Sequence, residues 1–108
     1  MAILVVCTAN INRSPTAAWV IQLIEGSMNV WHRGSCQAAC RIHGGTYCEQ
    51  SDIDQADSIV CMEERNKNEL IKAYGDGVSN KIRVLGIEDK YKKNDNKLVE
   101  EVLMKYNP

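Results

Sequence analysis

The N-terminal segment constrains the fold most, because a buried-strand pattern runs through a short loop into a helix. Ile3 to Val6 is a continuous aliphatic run, typical of a parallel strand covered on both faces. Ser14-Pro15 then marks a helix start, since proline in the first turn loses no hydrogen bond, and Gly26 ends the helix after about Glu25. A strand that leads directly into a helix predicts the first half of a βαβ unit.

The rest of the chain continues this alternation. We predict further strands at Val30 to Arg33, Ser58 to Met62 and Lys81 to Leu85, with helices from about Glu63 to Tyr74 and from Lys97 to Lys105. Two stretches are predicted loops: Gly86 to Asn96, and Cys36 to Asp52 with at most one short helical turn. The predicted fold is α/β, a three-layer αβα arrangement around a four-stranded parallel sheet, in one domain spanning residues 1–108.

Composition and charge narrow the function classes. With 44% apolar and 25% charged residues, the chain has the make-up of a folded globular protein. A formal net charge of −1 provides no strong field, so neither nucleic acid nor a membrane is an expected partner. The first residues lack a basic lead-in and a long apolar core, so the expected compartment is the cytoplasm. The five cysteines are an odd number and are therefore interpreted as free thiols.

The loop after the first strand combines a thiol with a guanidinium. Cys7 ends the strand, and Arg13 follows six positions later at the helix entrance, in a Cys-x5-Arg phosphate-loop (P-loop) pattern. Such a loop can point successive N–H groups inward, and the helix dipole adds positive potential, so an anion-binding nest is expected. The same field favours the thiolate form of a cysteine. Arginine grips two phosphoryl oxygens in a fork that lysine cannot reproduce.

The Cys-x5-Arg spacing alone is a weak signal in a chain with this many cysteines and arginines. Its position between a buried strand and a Ser-Pro helix start strengthens it considerably. We therefore predict Cys7 as nucleophile, with the Ser14 hydroxyl stabilising its sulfur. The predicted phosphate-binding residues are those of the loop and the helix entrance: Thr8, Ala9, Asn10, Ile11, Asn12, Arg13 and Ser14.

The segment Val5 to Pro15, reading VVCTANINRSP, resembles the signature of the low-molecular-weight protein tyrosine phosphatases, in particular a short single-domain branch. The resemblance covers both ends of the chain and the strand around Ser58 to Met62, whereas residues 35–54 match poorly. It implies the phosphotyrosine phosphatase I-like fold and hydrolysis of a phosphate monoester through a cysteinyl-phosphate. The implied reaction uses no cofactor and no metal. Its substrate would be a phosphorylated protein or a small phosphomonoester.

The family also implies an aspartate near the C-terminus as general acid and then base. In this sequence Ile87-Glu88-Asp89-Lys90-Tyr91 occupies the corresponding place, so Asp89 is the candidate and Asp95 the reserve. Tyr91 is a candidate aromatic wall for a substrate ring, although a half-buried packing role is equally open. Asn10 matches the family's loop asparagine, while Ala9 stands where the family often has glycine, which predicts an adjusted or slightly strained turn.

Three other interpretations stay open. A thiol-coupled arsenate reductase would need a resolving cysteine near Cys7, and Cys61 at a strand end is the candidate. A non-catalytic phosphate- or phosphoprotein-binding module would keep the nest without a well-placed acid. Cys36, Cys40, His43 and Cys48 form the right ligand set for zinc at an unusual spacing, although free thiols are favoured. Nothing in the sequence predicts an oligomeric state.

Overall fold

The computed structural model describes residues 1–26 and 29–106. These residues form four strands: β1 (Ala2–Cys7), β2 (Asn29–Gly34), β3 (Ser58–Cys61) and β4 (Ile82–Val84). The α-helices are α1 (Arg13–Glu25), α2 (Gln37–His43), α3 (Gln50–Gln55), α4 (Glu64–Tyr74) and α5 (Asn96–Lys105), and a 3₁₀-helix at Asp76–Lys81 precedes β4. Within the described residues no helix is long and apolar enough to cross a membrane.

The strands form one parallel sheet in the order β2-β1-β3-β4. The connection after β1 leads to β2 and the connection after β3 leads to β4, so the chain leaves these two adjacent strands toward opposite edges of the sheet. In open α/β sheets, ligands bind at such a switch point, beyond the carboxyl ends of the strands. Cys7 is the last residue of β1 and therefore lies at this point.

Helices cover both faces of the sheet, which gives the predicted three layers. On one face, alternate β1 residues pack against α1 and α5 in a cluster that includes Val5, Ile21 and Leu98. On the other face, Leu4 and Val6 pack with residues of α3 and α4, among them Ile53 and Leu70. Because successive strand side chains point to opposite faces, Cys7 belongs to the first cluster.

The four predicted strands and the first, fourth and fifth helices are confirmed, with boundaries within about two residues of the predictions. The interpretation of Cys36 to Asp52 as a loop was wrong, because α2 and the first half of α3 lie in it. α2 buries only the Cys40 side chain, so no apolar period was visible. α3 is set by a capping box between Glu49 and Asp52, a polar signal that hydrophobic periodicity does not detect.

Candidate active site

The loop from Cys7 to Arg13 curls at the carboxyl end of β1, and its geometry departs from a regular turn at Asn10. Asn10 has φ 59°, the left-handed conformation, which asparagine tolerates better than most residues. This places the Asn10 backbone N–H 3.3 Å from Cys7 Sγ, where it donates to the sulfur. Ala9 has no positive φ, so the backbone at this position does not require glycine.

A chain of buried hydrogen bonds links the sulfur to the loop. The Cys7 thiol donates to Ser14 Oγ across 3.1 Å, and the Ser14 hydroxyl donates to Asn10 Oδ1 across 2.7 Å. Because a hydroxyl has one proton, Ser14 donates to a Cys7 thiolate only when it turns away from Asn10. Ser14 lies inside α1 rather than at its N-cap, which is Asn12, so its hydroxyl is free for this network.

Arg13 is buried and held from several sides. Its guanidinium donates to Glu63 Oε1 at 2.5 Å and to the Ile87 carbonyl at 2.8 Å, both through Nη1. Nη2 donates to Thr8 Oγ1 at 3.2 Å. Only 1% of the Arg13 side chain is exposed, so its direction is fixed by these partners rather than by solvent.

The loop after β4 brings Asp89 to the same place. Asp89 Oδ1 lies 3.5 Å from Arg13 Nε, although 64% of the aspartate side chain is exposed. The backbone N–H of Lys93 donates to Asn12 Oδ1 at 3.1 Å, which ties this loop to the anion nest. The reserve candidate Asp95 instead caps α5, where its side chain accepts from Lys97 N.

These residues enclose a cavity of about 180 Å³, lined by Cys7, Ala9, Ile11, Asn12, Arg13, His43 and Asp89. At roughly 30 Å³ per water molecule, this volume accommodates a phosphoryl group and part of its leaving group. The lining does not include Tyr91, which packs half-buried against the α1 and α5 cluster. Its role as a substrate wall stays a prediction.

The segment after β2 forms the outer support of the loop. A Cβ on Gly45 would lie 1.7 Å from the Ala9 carbonyl oxygen, so only glycine allows this approach without a backbone shift. Further support comes from backbone hydrogen bonds: Ser35 N donates to Cys7 O, and Cys36 N to Thr8 O.

His32 on β2 is joined to the same network. Its Nδ1 lies 2.7 Å from Asn10 Oδ1. Burial, together with the positive charges of Arg33 and Lys93, lowers the pKa of His32 below its usual value of 6.5. The neutral imidazole is therefore favoured next to the loop asparagine.

The structure does not support the roles that the sequence suggested for Cys61 and for the possible zinc ligands. Cys61 packs on the opposite face of the sheet from Cys7, and burial raises the pKa of its thiol to about 12, so it is not placed as a resolving partner. Cys48 belongs to the same core cluster as Cys61. Among the described residues, which include all four possible zinc ligands, no group of three or more metal-ligating side chains could hold a metal ion.

Sequence reasoning missed the roles of Glu63, His32 and Gly45, and it considered His43 only as a zinc ligand. The signal for Glu63 was present, because it lies at the carboxyl end of the strand beside β1, where a carboxylate is within reach of Arg13. His32 lies on the predicted strand β2, but a strand pattern does not show which loop residue its side chain meets. His43 and Gly45 could not be assigned to the cavity and its support, since they come from the segment whose helices were not predicted.

Comparison with solved structures shows the fold that this chain shares. It superposes on the tyrosine phosphatase Wzb from Escherichia coli K30 with a TM-score of 0.76 and 21% identity, covering 95% of this chain and 91% of that one. SP-PTP, a low molecular weight protein tyrosine phosphatase from Streptococcus pyogenes, gives 0.74 and 20%, covering 95% and 89%. The YwlE arginine phosphatase from Geobacillus stearothermophilus gives 0.62 and 18%, covering 94% and 80%.

No family model matches the sequence. No curated protein matches it either. At about one-fifth identity, the structural likeness establishes the α/β fold of the low-molecular-weight protein tyrosine phosphatases, and the chemistry of the site has to be argued from its own residues.

Proposed function

We propose that this chain hydrolyses phosphate monoesters through a cysteinyl-phosphate on Cys7, with Arg13 binding the phosphoryl oxygens and Asp89 acting as general acid and then base. One observation carries the proposal: Cys7, Arg13 and Asp89 line a single small cavity at the switch point of the sheet. A thiol, a fixed guanidinium and an exposed carboxylate are the groups that this reaction needs.

In the first step, the Cys7 thiolate attacks phosphorus and the bond to the leaving oxygen breaks. The guanidinium of Arg13 and the loop N–H groups hold the three equatorial oxygens, where negative charge accumulates. Asp89, at the cavity mouth, gives its proton to the departing oxygen. The products are a cysteinyl-phosphate and an alcohol or phenol.

In the second step, water attacks phosphorus from the side that the leaving group vacated. Asp89, now a carboxylate, takes a proton from this water, and the phosphorus–sulfur bond breaks. Inorganic phosphate is released and the Cys7 thiolate is regenerated. The Ser14 hydroxyl, 3.1 Å from the sulfur, stabilises the thiolate as it leaves.

The substrate class we propose is an aryl phosphate such as phosphotyrosine, on a protein or as a small molecule. The Ile11 side chain lines the cavity and offers an apolar surface to an aromatic ring. The guanidinium leaving group of a phosphoarginine would need hydrogen-bond acceptors at this position. Of the three similar structures named above, two are described as tyrosine phosphatases and one as an arginine phosphatase, so both substrate types enter the test.

The expected compartment remains the cytoplasm. All five cysteines are free thiols in the structure, which fits a reducing environment.

The test compares Cys7→Ser and Asp89→Asn with the native protein on p-nitrophenyl phosphate, phosphotyrosine and phosphoarginine under reducing conditions. Cys7→Ser is expected to lose turnover by about 10⁴-fold or more. Asp89→Asn is expected to lose about 10²-fold or more on phosphotyrosine. Its loss should be smaller on p-nitrophenyl phosphate, whose better leaving group needs less protonation.

Glu88→Gln, an adjacent carboxylate that does not line the cavity, serves as the matched control and should keep native activity. Phosphate binding without turnover of any substrate would instead identify a non-catalytic phosphate-binding module. Turnover that survives in Cys7→Ser would contradict the proposed nucleophile. Equal losses for Asp89→Asn and Glu88→Gln would contradict the proposed acid.

A further inference from the structure

Cys40 is a buried thiol that the proposed reaction does not use, and it lies against the active-site loop. Only 2% of the residue is exposed, and its Sγ approaches the Thr8 carbonyl oxygen at 3.7 Å. It is the single buried residue of α2, so this short helix is anchored to the loop through its sulfur.

The sheet register places this sulfur beside Cys7. Gly34 is the partner of Cys7 in the pairing of β1 with β2, and a Cβ on Gly34 would lie only 2.3 Å from Cys40 Sγ. Paired positions on adjacent strands are about 4.8 Å apart and point their side chains to the same face. Gly34 has no side chain, and Cys40 Sγ therefore occupies the space beside Cys7 that a side chain at residue 34 would fill.

We propose that Cys40 is the resolving thiol of a reversible modification site, in which oxidation of Cys7 leads to a Cys7–Cys40 disulfide. The inference rests on the proposed function, because it requires a reactive thiolate at Cys7. A disulfide needs the two Cβ atoms within about 3.5–4.5 Å. α2 is seven residues long, buries one side chain and ends at Gly44, so a small inward shift disrupts little packing.

The oxidant is a peroxide, and the steps balance. The Cys7 thiolate attacks hydrogen peroxide, which gives a Cys7 sulfenic acid and hydroxide. The Cys40 thiol then attacks the sulfenic sulfur, forming the S–S bond and releasing water. A dithiol such as dithiothreitol reduces the bond by exchange, regenerating both cysteines and becoming an internal disulfide itself.

The electrostatics assign different tasks to the two sulfurs. Burial raises the pKa of Cys40 to about 11, and the Cys7 charge adds to this effect. Cys40 is therefore a thiol at neutral pH and does not compete with Cys7 for the oxidant. Once Cys7 is a neutral sulfenic acid, its charge no longer opposes deprotonation of Cys40.

The experiment treats the native protein with hydrogen peroxide and digests it with trypsin without reduction. Cleavage after arginine yields residues 1–13, containing Cys7, and residues 34–41, containing Cys36 and Cys40. We expect these two peptides joined with the loss of two hydrogens, and fragmentation of the joined pair to assign the bond to Cys40. This assignment uses the native chain and needs no variant.

Cys40→Ser and Cys40→Ala, each confirmed folded by its thermal melting, should lose the joined pair, whereas the neighbouring control Cys36→Ser should keep it. After oxidation and then dithiothreitol, the native protein and Cys36→Ser should recover their activity. The Cys40 variants should recover at least about tenfold less, because their Cys7 proceeds to sulfinic acid.

Absence of the joined pair from the oxidised native protein, its persistence in Cys40→Ser, or its loss in Cys36→Ser would overturn the proposal. The mass measurement is independent of turnover. An inactive native protein that still forms the Cys7–Cys40 bond would therefore refute the phosphatase proposal and leave the disulfide standing.

Discussion

The anion nest, residues 7–13, and the collar around it, defined as His32, Gly45, Glu63 and Ile87, are built in opposite ways. The nest is contiguous, and its internal hydrogen bonds join residues a few positions apart, such as Asn10 N to Cys7 Sγ. The collar is assembled from distant segments, with Glu63 separated from Arg13 by 50 positions and Ile87 by 74. The nest supplies the nucleophile and the phosphate-binding groups, and the collar fixes their direction.

This difference indicates where function is sensitive to change. A short strand-to-helix loop can adopt several conformations, and its positive φ at Asn10 is sparsely populated for a non-glycine residue. Contacts from β2, from the start of α4 and from the loop after β4 select one of them. Substitutions in the collar should therefore reduce activity although they touch no reacting atom.

The largest collar effect is expected for Gly45→Ala. The added Cβ would lie 1.7 Å from the Ala9 carbonyl oxygen, a backbone atom, so the loop must move. A displacement of about 1 Å at a catalytic group costs roughly 10²-fold in kcat/KM. Gly77→Ala is the matched control, because a Cβ there meets nothing within 4 Å. Equal kcat/KM for the two variants would show that the collar does not shape the nest.

Glu63→Gln should produce the next largest effect. The amide keeps the size of the side chain but removes the charge that faces the buried Arg13 guanidinium at 2.5 Å. A hydrogen bond to a charged group contributes about 1.5–3 kcal/mol, which corresponds to roughly 10- to 10²-fold weaker inhibition by inorganic phosphate. Glu64→Gln, one residue further along, is the control. Unchanged phosphate inhibition in Glu63→Gln would contradict the positioning role.

Asp95→Ala separates stability from catalysis. The Asp95 side chain caps α5 by accepting from Lys97 N at 2.8 Å, so its loss should cost about 1 kcal/mol and lower the melting temperature by about 4 °C. We expect kcat to stay within about twofold, since Asp95 does not line the cavity. A loss of kcat like that of Asp89→Asn would instead make Asp95 the general acid.

The smallest effect concerns pH and His32. The pKa of His32 is lowered in the folded state. At pH values between this lowered pKa and 6.5, the unfolded chain therefore binds more protons than the folded protein. Stability should therefore fall as the pH decreases from 6.5 through that window, and the loss should be absent in His32→Asn. Melting temperatures between pH 7.5 and 5.5 test this, with His43→Asn as the control that retains His32. Parallel curves for the native protein and His32→Asn would argue against it.

The sequence predicted the elements that are specified by signals in consecutive residues. The aliphatic run of β1, Pro15 in the first turn of α1 and Gly26 at its C-cap each act through neighbouring residues, so all three were readable. The helices in the segment from Cys36 to Asp52 could not be predicted, because α2 has one buried residue and α3 is set by polar capping. Asp89 could be proposed only through the resemblance to a family, since its approach to Arg13 depends on the path of the loop after β4.

By itself, the sequence determined a parallel α/β sheet and a nest with a thiol at one end and a guanidinium at the other, because strand period, loop length and helix start are encoded in consecutive residues. Only the tertiary structure decided which side chains surround that nest. It brought Glu63 to Arg13, His32 to Asn10, Gly45 to Ala9 and Cys40 to the Thr8 carbonyl, and it placed Cys61 on the opposite face of the sheet from Cys7. Such contacts depend on strand order and helix packing, which no local pattern specifies.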